Sequence, residues 1–139
     1  MRGQTRLIAA LIVVSCCVRF GMAAVGYVDP AWLLQYLGAP PAQNLQGPYV
    51  VRVWAIRDIV LAVLVLTARR DSIRALLLAC VVIDCTDVLS ARLSHAAGLF
   101  NAADTQSLVL AAVAAIVPET AALLLMRSFS PPLRGMRPA

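Results

Sequence analysis

Four stretches of this chain, Leu7 to Val25, Tyr49 to Ala68, Ile73 to Leu93 and about Asp104 to Met126, stay apolar for the length of a bilayer-crossing helix. Such a helix needs about 20 residues at a rise of ~1.5 Å each. Backbone polar groups in hydrocarbon must be satisfied within their own segment, so stretches of this kind fold as helices. The overall composition agrees. Hydrophobic residues make up 61% and charged residues 14% of 139, where ordinary soluble domains carry about 25% charge. Mean hydropathy is +0.83, the opposite of a disordered chain. The expectation is one domain over residues 1–139, an all-α integral membrane four-helix bundle.

The connections divide into bare and basic. Residues 27–48 hold Asp29-Pro30, Gly38, Pro40-Pro41, Asn44 and Gly47-Pro48, all turn or breaker signals. They also hold Trp32, Tyr36 and Leu33-Leu34, and a short amphipathic helix at the membrane interface fits there. Ala68 to Ser72 reads as a tight charged turn, Ser94 to Asn101 as a second short loop, and the Pro- and Arg-bearing tail 127–139 as an exposed end. Arg2 and Arg6 precede the first stretch, Arg69, Arg70 and Arg74 mark the middle turn, and Arg127, Arg134 and Arg137 follow the last. With four spans these fall on one side, which the positive-inside tendency makes cytoplasmic, both termini included. A bacterial cytoplasmic membrane is the expected location.

A rival reading takes M-R-G-Q-T-R and the apolar residues up to V-V-S-C, at Cys16, as a cleaved signal. It fits less well, because apolar residues continue to Val25 and cleavage would place the termini on opposite sides. Net charge is +5 from twelve Arg and no Lys. The cations sit at the ends of apolar runs or inside them, so a nucleic-acid partner is not expected. Cys16, Cys17, Cys80 and Cys85 form no C-x-x-C pair and read as small apolar packing residues, with no disulfide and no metal. His95 reads as a loop residue.

The informative residues are the charges inside the spans: Arg19 in the first, Arg52, Arg57 and Asp58 in the second, Asp84, Asp87 and Arg92 in the third, and Glu119 in the fourth. Each costs at least ~2.5–3.5 kcal/mol in hydrocarbon, so such groups face a protein interior and find partners. Helical rise brings Arg19, Arg57-Asp58 and Asp84/Asp87 to one depth in the outer half, with Glu119 deeper. Cys80, Asp84, Asp87 and Ala91 share one helix stripe, as do Trp54, Arg57 and Asp58. Ser15 lies one turn before Arg19. Two aspartates three residues apart do not both ionise cheaply, so either an Arg lies between them or one keeps its proton. Pro118 frees a carbonyl one turn earlier and suggests a kink beside Glu119.

The stretch V-V-R-V-W-A-I-R-D followed by an apolar span, an R-R turn and A-C-V-V-I-D-C-T-D resembles a family of small, mainly actinobacterial and fungal, four-helix membrane proteins of unknown function. That family's pattern is R-x-x-G-x-R-D, an apolar span, a basic turn and an A-x-x-D-x-x-D helix. The match falls on Arg52, Arg57, Asp58, Asp84 and Asp87, with Ala55 in place of the glycine, and covers about Pro48 to Leu93. The resemblance implies the four-helix fold and a shared Arg-Asp cluster. It implies no reaction.

Three functions compete. In the first, the cluster binds a lipophilic small molecule and converts it by acid–base chemistry such as isomerisation, cyclisation or epoxide opening, without a cofactor. Asp84, Asp87, Asp58 and Glu119 are then the candidate catalytic groups, and Arg57, Arg19, Trp54 and Arg52 the binding groups. In the second, the chain is a non-catalytic subunit or scaffold of a larger membrane complex and the cluster is a staple between helices. In the third, it is a small oligomeric transporter with carboxylates along its path. No G-x-S-x-G, H-E-x-x-H or phosphate-binding glycine loop is present, which removes the hydrolase, protease and nucleotide-dependent classes. An apolar-walled cavity of roughly 300 Å³ or more beside Asp84 and Asp87 would favour the first.

Overall fold

The computed structural model describes residues 2–38, 45–69 and 71–127. Pro40-Pro41 and Asn44 of the first connection, Arg70 of the charged turn, and the tail from residue 128 lie outside them. The described residues fold into five α-helices: α1 (Arg2–Val28), α2 (Pro30–Tyr36), α3 (Gly47–Thr67), α4 (Ile73–Ala96) and α5 (Ala102–Arg127).

This corrects the expected four-helix, four-span architecture in two ways. The first connection contains a helix of its own, α2. Moreover, only α1 (Gly3–Val28) and α5 (Ala102–Met126) among the described residues are long and apolar enough to cross a membrane, each with a mean hydropathy of 2.3. The charges lower the other two. Arg52, Arg57 and Asp58 interrupt α3, and Arg74, Asp84, Asp87 and Arg92 interrupt α4.

Local chemistry sets the helix boundaries. Asp29 caps α2 by accepting the Trp32 amide at 3.0 Å, and Pro30 occupies the first turn, where its missing N–H costs nothing. The breaker pair Asp29-Pro30 therefore starts a helix. Asn101 does the same for α5, its side chain accepting the Asp104 amide at 2.9 Å. α5 runs unbroken through Pro118. α4 continues to Ala96, so His95 belongs to its last turn, where Nδ1 lies 2.9 Å from the Phe100 carbonyl.

α1 packs against α3 and α5, and α5 against α4, while α3 and α4, on opposite sides of that arrangement, touch only lightly. α2 folds over α1 and α3, and two glycines make its seat. A methyl group at Gly26 would come within 2.7 Å of Leu33 Cδ2, and Leu33 is fully buried. Gly38, at φ +81°, leaves the end of α2 in the left-handed region beside the Asp104 side chain, where a Cβ would collide.

Along the bundle the interior falls into three levels. At the end where α1 begins and α5 ends, Ile12, Cys16, Ala62, Val65, Leu77, Cys80 and Ala122 form an apolar core. Next come the charged residues, and beyond them a cavity under α2. Polarity is otherwise inverted relative to a water-soluble protein. Ser15, Arg19, Asp58, Asp84, Thr105 and Glu119 are buried, while Phe20, Val60, Leu64, Leu78, Val82, Leu110 and Val117 are exposed. All three tyrosines (Tyr27, Tyr36, Tyr49) and Trp32 are exposed around the α2 end, and Trp32 stacks on Tyr36 with centroids 5.3 Å apart. Such an aromatic girdle suits a membrane–water boundary.

Candidate functional site

The charged level is organised by Arg19, whose side chain is 3% exposed. One nitrogen of its guanidinium donates to Asp84 Oδ2 at 2.6 Å and to Glu119 Oε1 at 3.0 Å. The other lies 3.3 Å from Asp58 Oδ1. A single side chain from α1 thus holds carboxyls from α3, α4 and α5. The fork of a guanidinium allows this, since it presents five donors in a plane. Ser15, one turn earlier on α1, donates to the same Glu119 Oε1 at 2.8 Å.

Arg57 forms the rim. Its Nε lies 3.1 Å from Asp58 Oδ1 and one terminal nitrogen lies 3.1 Å from Asp87 Oδ2. Here the side chains of Arg57 and Asp87 are 38% and 39% exposed. The pair bridges α3 and α4, two helices that otherwise touch only lightly. Asp58 is shared between both arginines.

The two arginines face four carboxyls, Asp58, Asp84, Asp87 and Glu119, so the cluster holds two more acids than bases. Glu119 Oε2 is buried and has no hydrogen-bond partner among the described residues. Unpaired buried oxygens are rare and costly. No group of three or more His, Cys, Asp or Glu among the described residues is arranged to hold a metal, and the guanidinium of Arg19 fills the centre that a cation would take.

Directly above the cluster is a cavity of about 380 Å³. Arg19, Asp58, Asp84 and Asp87 line its base, Val18, Met22, Val51 and Trp54 are among the residues of its walls, and Leu34 of α2 and Leu37 just past its end close over it. Ser90 and Ser94 of α4 add hydroxyls.

The residues singled out in the sequence therefore separate. Arg19, Asp58, Asp84, Asp87 and Trp54 meet at the cavity. Arg57 joins them through Asp58 and Asp87 without lining it. Glu119 joins the cluster from behind, through Arg19 and Ser15. Arg52 stands apart and exposed, with Nε donating to the Tyr27 carbonyl at the end of α1 at 3.2 Å. Ser90, Ser94 and the leucines of α2 went unnoticed as site residues. The Leu33-Leu34 pair was the available signal, read there as part of a short amphipathic helix at the interface. All four cysteines are free thiols, with Cys16 and Cys80 in the apolar core.

Compared with known proteins, the chain matches no family model, no curated protein sequence and no solved structure.

Proposed function

We propose that this is an integral membrane protein that binds a lipophilic small molecule in the cavity above Arg19 and converts it by acid–base chemistry. The observation that carries this reading is the pairing of an apolar wall with an acidic base. A cavity of about 380 Å³ falls within the usual range for ligand sites, roughly 300–1,000 Å³, where a few polar groups orient an apolar guest. Asp84, held by Arg19, and Asp87, held by Arg57, share that base, so carboxyls that can give or take a proton stand beside electrostatic partners in an apolar-walled pocket. Asp58 contacts the same space. Glu119, outside the lining, is a positioning residue that holds Arg19.

In this reading α1 and α5 cross the bilayer, which returns both chain ends to one side. Arg2 and Arg6 flank one end and Arg127, Arg134 and Arg137 the other, so that side is cytoplasmic by the positive-inside tendency, in a bacterial cytoplasmic membrane. The resemblance to small membrane proteins with an Arg-Asp pattern belongs to this proposal as well. An impermeant maleimide should label Leu45→Cys in intact cells and Arg6→Cys only after permeabilisation, in a chain stripped of its four native cysteines. The reverse pattern would refute the orientation.

The test of function is mass spectrometry of lipophilic molecules copurified with the wild-type protein and with Asp87→Asn. A ligand retained by the wild type and altered in amount or chemical form in the variant is expected. A second reading, a purely structural staple, draws on the depth of Arg19 and its three carboxyl partners. It predicts no ligand in either sample, and recovery of Asp87→Asn stability when Arg57→Gln is added.

A further inference from the structure

We propose that the guest of this cavity is a single-chain amphiphile whose head is a protonated amine. This rests on the lipophile-binding reading and adds the chemistry of the head group.

Charge points to it first. Asp58, Asp84 and Asp87 line the cavity, and Arg19 is the one cationic side chain among its lining residues. Arg19 is already engaged by Asp58, Asp84 and Glu119, and Arg57 is held at the rim by Asp58 and Asp87. A head group reaching the base therefore meets acid in excess. The unpaired Glu119 Oε2 behind Arg19 marks the same deficit of positive charge from the other side. In a low-dielectric interior such an excess strongly favours an incoming cation and disfavours a carboxylate or phosphate.

The walls supply the rest. Trp54 lies one helical turn before Asp58 and lines the same cavity, so a cation held by the aspartates has an aromatic ring nearby. An ammonium brings three donors and no acceptor, matching carboxylate oxygens and the Ser90 and Ser94 hydroxyls. A bare inorganic cation would leave the apolar walls from Val18, Met22, Val51 and the α2 leucines without contact. The volume of about 380 Å³ lies at the small end of ligand cavities, which suits one chain and not a two-chain phospholipid.

The experiment uses full-length protein carrying Trp32→Phe, in which Trp54 is the one remaining tryptophan, in phosphatidylcholine nanodiscs at pH 7. Trp54 emission is titrated with dodecylamine, dodecanol and dodecanoate. The amine should saturate at a concentration at least about 10-fold below the alcohol, roughly one strong charged contact, and dodecanoate should give no saturable change. Asp87→Asn should cut the amine's advantage to about 3-fold or less, and Asp87→Glu should keep it. If Asp87→Asn does not fold, the wild-type comparison of amine with alcohol decides. Equal affinity for amine and alcohol would overturn the amine head while leaving a lipophile site intact. Absence of saturation by all three probes, with nothing copurifying, would remove the lipophile site itself.

Discussion

Arg19 and Glu119 are a hundred residues apart in sequence and meet in a 3.0 Å ion pair that uses only one oxygen of the carboxyl. That oxygen also receives Ser15, and the arginine nitrogen that reaches it also reaches Asp84. Three helices are thereby tied through two atoms. Asp58, on the other arginine nitrogen, ties in the fourth.

Removing the hub should be far worse than removing any one spoke. Arg19→Met leaves buried Asp84 and Glu119 without a cation and Asp58 with Arg57 alone, and breaking one buried pair alone typically costs ~3–5 kcal/mol. The variant is expected to be lost during expression or to melt far below wild type in detergent. Arg19→Lys should fall between them, because an ammonium lacks the fork that reaches three partners. A normal melt for Arg19→Met would refute the hub.

Glu119→Gln should change stability by no more than about 1 kcal/mol, the size of one ordinary hydrogen bond. The amide oxygen still accepts from Ser15 and Arg19, and the substitution removes one acid from a cluster with too many. Glu119→Leu takes the acceptor from Ser15 as well and should cost several times more. Thermal midpoints of the two variants, measured side by side, check the ranking.

Double-mutant cycles should separate hub from rim. The Arg57–Asp87 pair is more than a third exposed, and pairs of that kind couple by about 1 kcal/mol or less. Arg19–Asp84 is buried and short, so its coupling energy should exceed that of the rim pair at least twofold. Equal coupling energies would contradict the burial difference.

Gly26 is expected to govern the lid. Its position against Leu33, Val51 and Trp54 leaves no room for a branched side chain, so Gly26→Val should lift α2 from the cavity while α1, α3, α4 and α5 stay packed. Collisional quenching of Trp54 in a Trp32→Phe background reads this directly. Quenching should rise in Gly26→Val and hold near its starting level in Gly26→Ala, where one flexible Leu33 methyl can yield.

The charged cluster was largely legible because ionisable groups interrupt apolar runs. Arg19, Asp58, Asp84 and Glu119 stand out for the cost of placing them there, and that cost obliges them to meet. Glu119 still joins the cluster from its deeper level, because counting rise per residue follows backbones, whereas a long arginine spans the difference in level with its side chain. The total of four helices became five at Asp29-Pro30, in the connection where a short amphipathic helix was expected, since the residues that end one helix are also a good beginning for the next. The span count failed for the converse reason. Apolar length was weighed without the charges that α3 and α4 carry inside it. Arg52 was placed with Arg57 by sequence proximity, but five residues on a helix put the two on different faces, and Arg52 went to the end of α1.

The apolar core of Ile12, Cys16, Ala62, Val65, Leu77, Cys80 and Ala122 sits beneath the arginine level like a stopper in a flask. Every residue of this core is apolar, so the chamber is stopped on the side where α1 begins and α5 ends. In the proposed reading, a guest therefore leaves by the side it entered. Exchange would then be a matter of eviction, with one occupant having to leave before the next can settle, and crowding by the outgoing molecule would be the natural brake on such a vessel.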